Sequence, residues 1–165
     1  MKSNLTILIL TLTLSSFCQS IKSNITLTDS TSIRAIISNF KISSNKLDTC
    51  DTGLGWETIC LIDNQQWFGS DAGLELPKNQ LDSLSISING LKIQLETSKM
   101  FNPSFSGKIS ERQFKLIKTE TGYTLYAFFS DGAGGYTAHW DIINDKSFRN
   151  VLSKEEGCFY WQLAK

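Results

Sequence analysis

The chain lacks a net field of either sign. Lys and Arg number 16 and Asp and Glu number 16, a formal net charge of 0, and no Lys/Arg cluster runs longer than two residues. Nucleic acid and anionic membrane surfaces are held by arrays of cations, so the composition argues against both as partners. Histidine is almost missing, His139 being the only one. No C-x₂₋₄-C or H-x₃₋₅-H spacing exists, so the cysteines and His139 do not spell a zinc site. Neither a metal nor another cofactor is expected. Long apolar runs are scarce too. Residues 5–14 (LTILILTLTL) form the longest, too short to span a ~30 Å bilayer as a helix. Protease, lipase and nuclease motifs are missing. The nearest approach to a lipocalin-type G-x-W start, Gly53-Leu54-Gly55-Trp56, has the wrong spacing.

What is present begins with a targeting pattern. Lys2, the apolar run and then Ser15, Ser16, Phe17, Cys18, Gln19 and Ser20 read as a secretory signal peptide over residues 1–18. A single β-rich domain over residues 19–165 follows. Ser16 and Cys18 suit the −3 and −1 positions of cleavage. Residues 14–18 also resemble a lipobox, with Phe17 where a small residue belongs. Plain export to the periplasm or exterior is therefore favoured, and an outer-membrane lipoprotein carrying lipid on Cys18 is the alternative. A length of 165 residues allows one domain with a real core. A hydrophobic fraction of 41% with only 19% charged residues fits an exported β-rich domain.

Export makes a disulfide plausible. Cys50 and Cys60 bracket DTGLGWETI, in which Gly53 and Gly55 can turn sharply, so this pair is expected, with Cys158 left as an odd, buried thiol. A Cys60–Cys158 bridge is the rival.

The fold class read from the pattern is mainly β: an antiparallel β-meander, either a sandwich or a partly open barrel, with one short N-terminal helix. Short alternating runs at roughly ten-residue spacing, joined by polar turns, carry that reading. The helix is expected over residues 29–40, where Ile33, Ile36, Ile37 and Phe40 fall on one helical face behind Asp29, Ser30 and Thr31 as caps. Its β-branched isoleucines make a strand the alternative. Strands are expected at residues 24–28, 56–62 and 66–69, the last two joined by Asp63-Asn64. Others are expected at 112–118, at 147–152 and, closing the chain, at 158–163 (CFYWQL).

Two hairpins admit a register. Asn89-Gly90 suits a two-residue type I′ turn, which sets Ile88 against Leu91, Ile86 against Ile93 and Leu84 against Leu95. All six are apolar and share a face. In residues 123–143 (YTLYAFFSDGAGGYTAHWDII), pairing Phe129 with Tyr136 sets Ala127 against Ala138, Leu125 against Trp140 and Tyr123 against Ile142. That is a core face. The opposite face pairs Phe128 with Thr137, Tyr126 with His139 and Thr124 with Asp141.

Candidate chemistry concentrates there. His139 and Asp141 share a face, so Asp141 could orient the imidazole as a general base. No nucleophile or metal is fixed by spacing, and an outward histidine is the plainer reading. The hairpin tip, Asp131, Gly132, Gly134, Gly135 and Tyr136, is a candidate contact loop. Residues 68–73 (FGSDAG) echo residues 129–134 (FSDGAG), which adds Asp71 and its neighbour Trp67 to a rim where the two loops could meet. Rings in excess of core needs (Trp67, Phe68, Tyr126, Phe128, Tyr160, Trp161) suit a protein partner or a sugar. The favoured function is that of a small exported bacterial β-protein acting as a non-catalytic binding module for another macromolecule, in one form an inhibitor or immunity-type partner. The alternatives are a ligand-binding β-barrel for a sugar, lipid or ion, and a hydrolase using His139 and Asp141.

Overall fold

A computed structural model describes residues 20–71, 73–104, 108–129 and 134–162. Residues 1–18, expected to be a signal peptide and including the lipidation candidate Cys18, and the tip residues Asp131 and Gly132 lie outside them. Ten strands follow one another: β1 (Ser20–Thr28), β2 (Thr31–Asn39), β3 (Leu47–Asp51), β4 (Glu57–Ile62), β5 (Asn79–Ile88), β6 (Leu91–Leu95), β7 (Phe114–Lys118), β8 (Tyr123–Phe129), β9 (Tyr136–Ile143) and β10 (Lys146–Ser153). They make a four-stranded sheet in the order β1-β2-β5-β6, a second in the order β10-β9-β8-β7, and a separate β3-β4 ribbon. Every strand pairing is antiparallel.

Turn chemistry sets the ladders. Asn89-Gly90 and Asn144-Asp145 have positive φ at both positions, the requirement of a type I′ turn, and each joins its strands through two residues. Both hairpin registers expected from the sequence are present, pair for pair. Alternation then sends Leu84, Ile86, Ile93 and Leu95 from the first sheet, and Leu125, Ala127, Ala138 and Trp140 from the second, into one common core.

Two expected elements differ. Residues 29–40 are not a helix. Asp29 and Ser30 form the turn between β1 and β2 instead of capping, and Thr31, Ile33, Ala35 and Ile37 alternate inward along β2. Isoleucines at 33, 36 and 37 fit a helical face on paper, but their branched Cβ atoms favour the pleat. Ile36 falls on the outward face of that alternation, and the bulge in the β2-β5 ladder lies on β5, where Asp82 is the extra residue between Leu81 and Ser83. Nor is the C-terminus a strand: Glu156–Gln162 is a 3-10 helix. The stretch 66–69 contributes only an isolated parallel bridge, Phe68 to Met100. No helix among the described residues is long and apolar enough to cross a membrane.

The sheets meet beside β6 and β10. Trp140, fully buried, donates its Nε1–H to the Glu96 carbonyl at 3.0 Å. Arg149 donates to the Ser98 carbonyl at 2.8 Å, and Ser147 donates to the Gln94 carbonyl.

Residues 40–78 form an excursion from the first sheet. β2 and β5 are direct neighbours, with Asn39 opposite Asn79, and Phe40 N–H donates to the Lys78 carbonyl at 3.0 Å. The chain therefore leaves and returns at one point. Between those ends lies the β3-β4 ribbon over a second small core of Ile62 and Trp67, completed by Phe101 from the segment after β6 and flanked by Phe40, Leu47 and Ile59. Asn102 bolts the excursion down: its Nδ2 donates to the Gly69 carbonyl and its Oδ1 accepts from Lys78 N–H, both at 2.8 Å.

The Cys50–Cys60 disulfide is formed, with a Cα–Cα distance of 5.7 Å; Cys158 is free and half-buried. Cys60 is the extra residue at a bulge, since Asp48 pairs with Leu61 and Thr49 with Ile59. The bridge thus ties the ribbon where its ladder is interrupted. Closing so short a loop constrains the unfolded chain, and replacing both cysteines by serine is expected to lower unfolding free energy by about 2–3 kcal/mol. Denaturant titration of the oxidised wild type against the double variant measures this; a loss well under one kcal/mol would mean that the ribbon does not unfold with the sheets.

Candidate functional site

Strand β9 presents His139 and Asp141 on the outer face of the second sheet, opposite Tyr126 and Thr124. The 3-10 segment Glu156–Gln162 covers that face at one end. The Trp161 indole donates to Thr137 Oγ1 at 3.0 Å, and Thr137 Oγ1 donates to the Ala127 carbonyl at 2.8 Å. Trp161 packs on Tyr126 with ring centroids 5.8 Å apart, and Phe159 meets Phe128 edge-on at 5.4 Å. Aromatic alternation at the C-terminus thus reports a cover over the sheet, not another strand in it.

His139 lies under this cover. Its ring sits 4.6 Å from that of Tyr126, and its Nε2 is shut off from solvent with no hydrogen-bond partner among the described residues. Desolvation pushes its pKa below the usual value, against smaller upward pulls from a hydrogen bond with the Cys158 backbone and from the Asp141 charge. Asp141 is engaged elsewhere: one oxygen accepts from Thr124 Oγ1 at 2.7 Å and the other from Asn150 Nδ2 at 2.8 Å. The carboxylate therefore staples β8, β9 and β10 side by side. A base needs a ring nitrogen open to a substrate and a carboxylate aimed at the other nitrogen; here the geometry provides neither. Among the described residues no group of three His, Cys, Asp or Glu side chains is arranged to hold a metal ion.

The expected contact loop divides. Tyr136 is fully buried, stacked on Phe129 with centroids 5.5 Å apart, so it belongs to the core and not to a rim. Burial drives its phenol pKa well above the usual value, and its hydroxyl lacks a partner among the described residues. Trp67 is a core residue too, 9% exposed, with Nε1 donating to the Ile59 carbonyl at 3.0 Å. Gly134 and Gly135 are half-buried and Asp71 is exposed. The sequence echo has a spatial counterpart: a Cβ on Gly134 would lie 3.0 Å from the Ser70 Cα. The two loops therefore abut, closely enough that a Cβ at residue 134 would require the Ser70 backbone to give by a few tenths of an ångström.

Two surfaces escaped the sequence reading. One is the tip of the β3-β4 ribbon. Leu54 is 69% exposed and Trp56 50% exposed, and Leu74 on the return segment beside β4 is 63% exposed. Ile59 N–H donates to the Gly73 carbonyl at 2.8 Å, which brings that return alongside. The tip is not slack. Thr52 Oγ1 donates to the Trp56 carbonyl and Gly53 N–H to Asp51 Oδ1, both at 2.8 Å. The available signal was a tryptophan within a short, glycine-bearing disulfide loop, where no core can form around it. The other surface is a cleft of about 390 Å³ at one end of the sheets, floored by Ile88, Ile93, Tyr123 and Ile142 and rimmed by Asn89 and Asp145.

Two measurements probe the covered face. Tyr136→Phe is expected to leave stability unchanged or slightly raised, because it deletes an unpartnered buried hydroxyl, whereas Thr137→Val is expected to cost about 1–2 kcal/mol by orphaning the Trp161 donor; equal losses in the two variants would contradict this. The His139 pKa is low in the folded state and ordinary in the unfolded state. As pH falls below about 6.5 the unfolded chain takes up the proton first, so stability should decline until the folded pKa is passed. His139→Gln should flatten unfolding free energy between neutral and mildly acidic pH; an unchanged slope would assign the effect to other groups.

No protein-family model, curated protein or solved structure matches this chain, so its function has to be argued from the geometry of these surfaces alone.

Proposed function

We propose that the protein is a small exported β-protein that acts as a non-catalytic binding module for another macromolecule, of the inhibitor or immunity type. The observation that carries this reading is the ribbon tip: Leu54 and Trp56 stand largely in solvent on a turn held by a disulfide and by its own hydrogen bonds. Ordering such a tip in advance removes part of the entropy cost of association, and tryptophan is among the residues most enriched at strongly contributing interface positions. The disulfide also favours an oxidising compartment, in line with an export signal at residues 1–18. A hydrolase is the less favoured reading, because Asp141 is committed to Thr124 and Asn150 and His139 Nε2 is sealed. For the two main sheets we favour a sandwich or partly open barrel, on the strength of their shared core and the bonds linking β10 to the segment after β6.

The end cleft supports a second reading, a site for a sugar or lipid. Its volume, about 390 Å³, is within the range of small-molecule pockets, and its floor is apolar.

The reading is tested by capture from the exported protein fraction on the immobilised, oxidised mature chain. A Leu54→Ala/Trp56→Ala double variant should retain thermal stability and lose the specific partner, with affinity reduced by about 2–4 kcal/mol. His139→Ala should capture it as wild type does. Capture insensitive to the tip but abolished at His139 would transfer the activity to the covered face.

A further inference from the structure

We infer that the ribbon lobe is a docking face for a cationic protein surface; this deepens the binding-module reading and rests on it. The overall charge balance conceals a local imbalance. Residues 47–77 contain six acidic side chains and no Lys, Arg or His, while the other 134 residues carry 16 Lys and Arg against ten Asp and Glu. This stretch lies within the 40–78 excursion, whose cations, Lys41, Lys46 and Lys78, sit towards its two ends; the lobe keeps a net charge of −3, with the acid gathered on its tip and return segment. Asp48 is matched by Lys46 at 3.1 Å, and Asp63 accepts from the Lys46 backbone N–H at 2.7 Å. Asp51, Glu57, Asp71 and Glu75 are exposed. They surround the same tip and return segment that present Leu54, Trp56 and Leu74.

Such a surface selects its partner by chemistry. A concentrated negative field steers an oppositely charged protein into contact and repels a polyanion, so nucleic acid and anionic lipid are disfavoured at this lobe. Exposed apolar residues at the centre require a partner with an apolar recess. The complement is a protein face with lysine or arginine ringed around a hydrophobic pocket. A second copy of this chain fits less well. Its Lys22, Arg34 and Lys92 do share the outer face of the first sheet, but the side chains set between them are Asn24, Ser32, Ser85 and Ser87, a largely polar surface where Leu54 and Trp56 require an apolar recess.

The test uses the oxidised mature chain, a synthetic peptide alternating lysine and leucine, a glutamate–leucine peptide of equal length, and phosphatidylglycerol vesicles. Wild type should bind the lysine–leucine peptide alone, and more weakly as salt rises. Replacing the four exposed carboxylates by isosteric amides (D51N, E57Q, D71N and E75Q) should weaken that binding about tenfold or more; the side-chain amide oxygen introduced by D51N retains the acceptor for Gly53 N–H. Leu54→Ala/Trp56→Ala should weaken it comparably at constant charge. Equal binding of both peptides, vesicle binding, or indifference to the four amides would overturn the inference. So would salt-sensitive self-association in sedimentation that the amides abolish, which assigns the lobe to a second copy. If the amides change nothing yet the tip variant still loses its captured partner, only the charge inference falls. If neither variant changes capture, the binding-module reading falls with it.

Discussion

The carbonyl oxygen of Glu96 is the joint on which the two sheets depend. It follows directly after β6, the last strand of the first sheet, and accepts from the Trp140 indole of the second sheet at 3.0 Å and from Arg149 at 3.4 Å. Two donors on one acceptor hold the sheets at a fixed approach, and Trp140 fills the space behind with the largest wholly buried side chain. A desolvated indole N–H and a half-buried guanidinium both require acceptors. The β6 end supplies them, so an error in register along either sheet would strand polar groups as well as expose isoleucines. Burial lowers the Arg149 pKa from its usual value, opposed by the Glu96 charge.

That coupling explains why hairpins were legible in the sequence and covers were not. Within residues 84–95 and 123–143, a turn with defined φ demands and an alternation of period two give the same register independently, so agreement between them is itself evidence. Residues 29–40 offered no such check. Ile33, Ile36 and Ile37 satisfy a helical face, and the strand period is visible only when Thr31 and Ala35 count as core positions and Ile36 as an outward one. The C-terminal aromatics failed for a related reason. Phe159 and Trp161 alternate like a strand, but what they contact is the outer face of β8 and β9, and no local pattern distinguishes pairing with a sheet from lying across it.

Candidate sites were less legible than strands. His139 and Asp141 do share a face, as their spacing implies, yet a shared face is not a shared bond: Asp141 finds Thr124 and Asn150 on neighbouring strands, partners that sequence spacing along β9 cannot reveal. Tyr136 attracted a binding role because it closes a glycine-rich run, while its own pairing with Phe129 already assigned it to the core. Conversely, Leu54 read as part of the loop between the paired cysteines and Trp56 as the start of the strand expected at 56–62. Their exposure follows from tertiary facts, namely that the excursion packs Ile62 and Trp67 against Phe101 from the segment after β6 and leaves its far end uncovered.

The closure of that excursion bears on how the chain folds. β2 and β5 are adjacent strands separated by nearly forty residues, and bringing the ends of so long a flexible segment together carries an entropy cost that slows pairing. Because Phe40, Leu47, Ile59, Ile62 and Trp67 of this segment pack together, with Phe101 joining them from the segment after β6, its collapse holds its two ends side by side, as the Phe40–Lys78 hydrogen bond records. Seen from the first sheet, the intervening segment then behaves as a tight turn, and a non-local pairing becomes nearly a local one.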